Sequence, residues 1–461
     1  MSIPRELPGA PLQYNGYLSD IEIAEQKKGE LLFALDGDSR TYPENLKALM
    51  DAIASGRLEI DGRKVKATVL HRHEDDKTLF YLDWTGEACG AEIAPELEME
   101  SWTAVSDGLH NSNSFLTYWR GQFWLIHANS PYHFATPECK LMLWKSEDAH
   151  RWELVTTFSV PDEDIRDPKF AVIHDRLFIY VLKSFVADGS EPYTTAYTYT
   201  DDGEHFQPLT DLLDNHGWLF WNPRTLNGRT WYVPAYWGGH GNSIMLKTED
   251  GMHFQAVCYI HQGKKGLVND RNDETDFAFL ADGSMISTQR LEFSEDITGD
   301  RLACTHLAIC RPPYTEWISL GKDYHTRLDG PSLFSYNGRV YAVGRRNPYD
   351  RNKGPNFIGS VFGRKRTSLY EVTEKGLIFL TDFPSAGDTS YGGCVLKDGD
   401  LYASYYSSPL DSDWPWYVGM LSPSDIRMVR VPLCQVEALA DRCKAEYERE
   451  GKYLLEKDGR P

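Results

Sequence analysis

The chain is poor in positive charge, and it lacks a long apolar run, a paired-cysteine pattern and any cofactor phrase. Its 48 Lys and Arg stand against 68 Asp and Glu, a formal net charge of -20. That balance excludes a nucleic-acid backbone or an anionic membrane as the expected partner. No stretch reaches the roughly 18 apolar residues of a membrane span. The start, MSIPRELPGAPLQYNGYL, has neither the cationic head nor the apolar stretch of a signal peptide. The eight cysteines (Cys89, Cys139, Cys258, Cys304, Cys310, Cys394, Cys434, Cys443) form no CxxC pair and no framework spacing. They read as reduced thiols, which predicts a cytoplasmic protein. HExxH, Cys/His-cluster, EF-hand, GxGxxG and Walker phrases are all missing, so no cofactor is expected. An ion held by oxygens from scattered segments would leave no such phrase.

What the chain does have is repetition. Three heptapeptides match one another: Ser146–Trp152, Thr200–Phe206 and Thr248–Phe254, each of the form hydroxyl-x-Asp-small-x-basic-aromatic. The hydroxyl and carboxylate can bond their own turn's backbone, the small residue permits the bend, and the aromatic tucks into a sheet. A longer unit, two strands about a short turn, recurs as His110–Ala128, Arg166–Ser184, Trp221–Gly238, Glu274–Arg290, Asp329–Arg346 and Asp388–Ser407. The starts lie 56, 55, 53, 55 and 59 residues apart. A period of about 50 residues is that of a four-stranded propeller blade. The expected fold is therefore all-β, a six-bladed β-propeller over residues 101–432. A β-sandwich with accidental self-similarity is the alternative, and such even spacing argues against it.

Outside the propeller, residues 1–100 read as an N-terminal extension. It carries one helix, Pro43–Ser55, flanked by strand-like runs at Glu30–Leu35, Val65–His71 and Thr78–Trp84. These runs either cap the propeller or lend it an outer strand. Residues 433–461 read as a C-terminal helix and tail, with Cys434–Tyr453 amphipathic and packed on the outside.

In a propeller, the starts of the innermost strands and the ends of the second strands converge on one rim of the central channel. Here those positions are polar or aromatic. The starts include His110, Asn111, Arg166, Asp167, Trp221, Asn222, Glu274, Asp329, Asp388 and Tyr391, and the ends include Trp237, Arg290 and Arg345-Arg346. Convergent polar groups in a concave site are the default location for binding or catalysis. For Arg166 and Asp167, tying blades together and touching substrate stand equally open. Asp329 opens a Gly-Pro turn and reads as structural. His133 and His325 have no ligand spacing and read as loop residues.

The three heptapeptides resemble the Asp-box hairpin of sialidases in a shortened form. The unit from Glu274 to Arg290 is similar to the sialidase strand pair that opens with a glutamate and closes with an arginine. The segment Asp388-Thr-Ser-Tyr391-Gly-Gly resembles the one that carries that family's catalytic tyrosine. Phrases such as Asp107-Gly-Leu-His110-Asn111, Arg166-Asp-Pro-Lys169 and Gly330-Pro-Ser-Leu-Phe334 resemble a broad group of bacterial proteins labelled exo-alpha-sialidase by homology. The resemblance implies that Glu274 polarises Tyr391 and that Arg290, with Arg345 or Arg346, binds a substrate carboxylate. Two departures stand out. His110-Asn111-Ser112 occupies the place of the family's Arg-Ile-Pro phrase. The following loop, 129–140, offers only Glu138 where the family has an acid/base aspartate.

The expectation is a glycoside hydrolase acting on a carbohydrate, an acidic sugar included, at the channel mouth. Candidate catalytic groups are Glu274, Tyr391, Asp388, Asp167 and His110, the last replacing the missing aspartate. Arg166, Arg290, Arg346, Asn111, Asn222 and Asp107 are candidate substrate contacts, with Trp221 or Trp237 as a sugar-stacking face. Two alternatives remain: a polysaccharide lyase using the same site, and a non-catalytic propeller that binds glycans or a protein. The sequence sets no oligomeric state, so an oligomer stays open.

Overall fold

The computed structural model describes residues 91–185, 193–262, 271–292, 304–323, 326–346, 348, 364–411, 413, 416–453 and 455–456, together with strand backbone between residues 12 and 83. The repeat is realised as six antiparallel sheets forming the blades of a propeller. From the centre outward, blade 1 runs His110–Trp119, Gln122–Ser130, Lys140–Ser146 and Glu153–Phe158. Blade 2 is Glu163–Ile173, Arg176–Phe185, Thr194–Thr200 and Thr210–Asp211. Blade 3 is Trp218–Phe220, Trp231–Trp237, Asn242–Thr248 and Gln255–Gln262. Blade 4 is Arg271–Phe279, Met285–Glu292, Cys304–Cys310 and Ile318–Asp323, extended by Leu455–Glu456. Blade 5 is Asp329–Tyr336, Arg339–Arg346, Arg366–Thr373 and Gly376–Asp382. Blade 6 has a split inner strand, Thr389–Ser390 and Cys394–Lys397, then Asp400–Ser407, Asp425–Pro432 and Glu100–Val105.

That last strand closes the ring. Glu100–Val105 precedes blade 1 in sequence yet pairs with the C-terminal strand of blade 6, Ser101 opposite Val429. Closure therefore ties the two ends of the propeller by a ladder of main-chain hydrogen bonds, with Glu100–Val105 as the outermost strand of blade 6. The strand-like runs further upstream do not supply it. They overlap Glu30–Asp36, Ala67–Glu74 and Lys77–Asp83, which pair in a separate sheet with Leu12–Tyr14 and Ala24–Lys27. The expected helix at Pro43–Ser55 lies outside the described residues.

The heptapeptides show why blades 1 to 3 stack. Asp148, Asp202 and Asp250 each accept backbone N–H bonds from the residues two and three further on, at 2.8–2.9 Å. Each turn is thereby fixed and set against the preceding blade. The Ala149 carbonyl accepts from Trp102 Nε1 at 2.9 Å, and the Gly251 carbonyl accepts from the Tyr180 hydroxyl at 2.8 Å. Phe254 packs on Tyr180 and Phe220. The C-terminal helix, Leu433–Glu450, buries Leu433, Val436, Leu439 and Ala440 among residues of blades 5 and 6. It ends at Gly451, whose left-handed backbone caps it. Among the described residues no helix is long and apolar enough to cross a membrane.

Candidate active site

Five of the six innermost strands leave their ladder near the start, and those departures build the site. In blades 1, 2, 4 and 5 the pairing with the second strand shifts by one residue, opposite His127, Val181, Arg290 and Gly344. In blade 6 the inner strand breaks between Ser390 and Cys394. A bulge leaves a residue unpaired and re-aims its side chain. The backbone is left-handed at Asn113 (φ 48°), Asp167 (φ 49°), Gly330 (φ 57°) and Tyr391 (φ 47°). For the three that are not glycine this conformation stores strain, about 1–3 kcal/mol each, and such strain gathers at functional sites.

In blade 4 the bulge places Asp273 and Glu274 opposite Arg290. Arg290 forks onto Asp273 with two bonds of 2.7 Å and reaches Glu274 Oε2 at 3.0 Å. The Tyr391 hydroxyl donates to Glu274 Oε1, and Arg290 Nη1 donates to that hydroxyl at 3.3 Å. The other Glu274 oxygen accepts the Gly330 N–H at 2.7 Å. Burial pushes the Glu274 carboxyl up to about 7, with Arg290 opposing and Asp273 and Asp329 reinforcing. Burial and then the Glu274 charge push the Tyr391 phenol well above its usual range, while Arg290 and Arg345 pull it down. Gly330 is required here: a Cβ on it would stand 2.6 Å from the Tyr391 ring.

Next to this lies a second centre. Asp388, fully buried, has one oxygen 3.2 Å from His110 Nε2 and 2.7 Å from His133 Nδ1. Its other oxygen accepts from Trp416 Nε1 at 2.8 Å and the Tyr406 hydroxyl at 2.9 Å. His110 is buried, whereas the His133 side chain keeps 18% of its surface exposed. Arg345 joins the two centres. Its Nε meets Asp329 at 3.1 Å, its Nη1 is 3.5 Å from Asp388, and its guanidinium lies 5.2 Å from the Tyr391 ring centre. Asp329, read from sequence as part of a turn, is held well ionised: Arg327 and Arg345 outweigh the burial that opposes its charge.

The remaining candidates are placed as follows. Asp167 sits on the blade 2 bulge and accepts from Asn113. Two residues on, the buried Lys169 ammonium donates to the backbone carbonyls of Asp167 and Pro168 and lies 4.2 Å from the Trp221 ring centre. Trp221 is buried beneath it, its indole N–H on the Pro331 carbonyl, and its ring edge packs on Tyr391. Trp237 is exposed and packs edge-on to Trp218. Asn222 donates to Asp276, which also pairs with Arg224. Asn111, Asn129 and Asp107 bond one another in a separate knot. Arg166 forks onto Asp164 and donates to the His133 carbonyl at 3.0 Å. Arg346 forks onto Asp382 and reaches Glu92 at 2.9 Å, with its guanidinium over Phe379. The structure thus gathers Glu274, Tyr391, Arg290, Arg345, Asp388 and His110, and sets Arg346 apart from them.

Sequence reasoning missed His133 and Asp273. A carboxylate was sought in the loop 129–140, and the histidine already standing there was the available signal. Asp273 was hidden because a bulge cannot be read from alternation: it put two adjacent acids opposite one arginine. A cavity of about 570 Å³ beside the outermost strand of blade 2, lined by Val160, Lys183, Leu209 and Asp211 among others, contains none of these groups.

No family model and no curated protein matches the chain. Solved structures do. Trypanosoma rangeli sialidase in complex with 2,3-difluoro-KDN matches at TM-score 0.54 and 11% identity over 78% of this chain and 62% of that one. The same enzyme with 2,3-difluorosialic acid, described as a covalent intermediate, matches at 0.52 and 12% over 78% and 62%. Hadza microbial sialidase Hz136 matches at 0.52 and 11% over 77% and 76%. The chain therefore has the sialidase-type six-bladed propeller fold, and it spans about 62% of the length of the trypanosomal enzyme. One fold hosts many activities, so likeness at this identity speaks to the fold alone.

Proposed function

We propose that the chain is a glycoside hydrolase in which Tyr391 is the nucleophile and Glu274 its base. The observation that carries this is the Tyr391 hydroxyl donating to Glu274, whose carboxyl burial pushes up to about 7, with Arg290 against that hydroxyl and the second carboxylate oxygen. A free phenol is a weak nucleophile at neutral pH, so it needs an adjacent acceptor for its proton. Glu274 takes that proton as the phenolate oxygen bonds to the anomeric carbon. The bond from that carbon to the leaving oxygen breaks with its electron pair. The proton the leaving oxygen then needs falls to the neighbouring centre, where His133 is part-exposed. Water then attacks the anomeric carbon and gives its proton to the group that protonated the leaving oxygen. The bond from that carbon to Tyr391 breaks with its electron pair, and Glu274 returns its proton to the phenolate, which releases the sugar and restores both groups.

The arginines argue against copying a sialidase's substrate. Arg290 is forked onto Asp273, and Arg345 is shared between Asp329 and Asp388. Guanidiniums already matched by carboxylates of their own propeller favour a sugar presented by its hydroxyls over one gripped by an acidic group. The buried Lys169 ammonium, donating only weakly to two carbonyls at 3.3 and 3.4 Å, is the cation best placed to meet an acidic substituent.

The test is trapping. Activated fluoro-sugars of neutral and acidic type are incubated with the protein, and the adduct is mapped by peptide mass spectrometry. The expected adduct lies on the peptide carrying Tyr391 and vanishes in Tyr391→Phe. Turnover of any glycoside without that adduct, or an unsaturated sugar product, sinks the reading and, in the second case, replaces it with a lyase.

A further inference from the structure

We propose that His110, His133 and Asp388 bind one divalent transition-metal ion, zinc being the first choice. The proposal concerns the same centre that the glycosidase reading asks for a proton, and it is tested by binding, without reference to turnover. It rests on three donor atoms, His110 Nε2, His133 Nδ1 and Asp388 Oδ2, that all lie within 4.8 Å of one another. They come from the first strand of blade 1, the loop after its second strand, and the entry to blade 6. An ion there would pin together the two blades between which the ring closes.

Hydrogen-bond accounting asks for a cation at this point. His110 Nδ1 is 2.8 Å from the Ser422 carbonyl, which can only accept, so Nδ1 carries the proton. In the neutral ring Nε2 is then a bare lone pair. Opposite it, at 3.2 Å, stands Asp388 Oδ2, another lone-pair atom. Although the three atoms are close, His110 Nε2, His133 Nδ1 and Asp388 Oδ2 make no hydrogen bond of acceptable direction, and all are shielded from solvent. Three buried polar atoms this close, with no hydrogen bond among them, are costly unless a cation lies between them.

The surroundings match those of a ligand set. A metal-binding imidazole commonly donates its other N–H to a backbone carbonyl, as His110 does to Ser422. A ligating carboxylate is commonly held through its second oxygen, as Asp388 is by Trp416 and Tyr406. Two imidazoles and one carboxylate suit zinc or a neighbouring first-row ion, whereas calcium and magnesium prefer all-oxygen sets. Three protein ligands leave a coordination position open, the pattern of reactive zinc sites, and His133 gives this centre its exposed side.

The experiment uses the full chain, stripped with a chelator and then titrated with zinc by calorimetry and with cobalt by visible absorption. The expected result is about one equivalent per chain, with a cobalt spectrum of low coordination number. His133→Gln, at the exposed corner, should weaken zinc binding by about 10–100-fold. His110→Gln and Asp388→Asn should do at least as much, their folding being checked by thermal melts. Failure to bind a stoichiometric ion overturns the proposal, as does affinity unchanged in His133→Gln. Independent of any variant, an anomalous-scattering peak from zinc-soaked crystals must lie among the three residues; a peak confined to surface histidines overturns it as well.

Discussion

Around Glu274 and around Asp388 the propeller buries carboxylates in two different ways. Asp273 and Glu274 share one guanidinium, Arg290; Glu274 also meets the Tyr391 phenol and the Gly330 N–H, and Asp273 has the His240 imidazole at 3.3 Å. Asp388 instead meets two imidazoles, an indole, a phenol and the far end of Arg345. The first centre is a tight charge balance that one substitution upsets. The second spreads one carboxylate over several neighbours, with Trp416, Tyr406 and Arg345 on one oxygen and the two imidazoles beside the other. The physical lesson is that burial alone does not set how fragile a charged site is; the number of independent partners does.

That contrast predicts the largest effect. Arg290→Met leaves Asp273 and Glu274 buried without their common cation, and should cost about 3–5 kcal/mol in urea unfolding. His133→Gln leaves Asp388 with Arg345, Tyr406 and Trp416, and should cost no more than about 1 kcal/mol. Equal losses at the two sites would erase the distinction between them.

The next effect is smaller and carries a sign. Glu274 is raised from 4.5 to about 7, burial first, so at intermediate pH the folded state holds a proton that the unfolded state releases. The associated stability is fully present below about pH 4.5 and is lost as pH rises through about 7, some 3 kcal/mol at most. Wild-type protein should therefore lose stability over that window, and Glu274→Gln should show a flatter profile. In the proposed mechanism the ionised form is the base, so activity rises over the same window in which this stability is lost. A melting profile identical in both proteins would show that Glu274 titrates near its ordinary value.

How much of this was legible beforehand follows from what each signal reports. Six blades could be read because turn chemistry and an even period are local and repeated, as the pairing of Asp398-Gly399 and Asn337-Gly338 with regular strands shows. Glu274, Arg290 and Tyr391 could be read because strand starts and ends converge in a propeller. The closing strand at Glu100–Val105 lay at the edge of the expected ring, and only pairing with a strand over 300 residues away identifies it. Arg346 follows Arg345 on a strand, so the two must face opposite ways, yet sequence could not say which faced inward. The structure turns Arg345 toward Tyr391 and Arg346 toward Asp382. His133 and Asp273 were harder to read for a related reason: one lies on a loop, where its presence was the available signal, the other in a bulge, and neither obeys a period.

The finest test concerns Gly330, which touches only one of the two centres. Its backbone is left-handed, its N–H holds Glu274, and its missing side chain makes room for Tyr391. Gly330→Ala should cost about 1–3 kcal/mol, from the strained φ and from a Cβ driven against an aromatic ring. Blade 5 also carries Asn337-Gly338, where the Gly338 backbone is likewise left-handed and a Cβ would meet only Ala281. Gly338→Ala is thus a control that spends similar backbone strain away from Tyr391. If Gly330 acts as a spacer, its alanine variant loses the proposed glycosidase activity out of proportion to its stability, because a displacement near 1 Å can cost about 10²-fold. The control should lose stability alone. Parallel losses in both variants would mean that the close approach to Tyr391 has only a packing role.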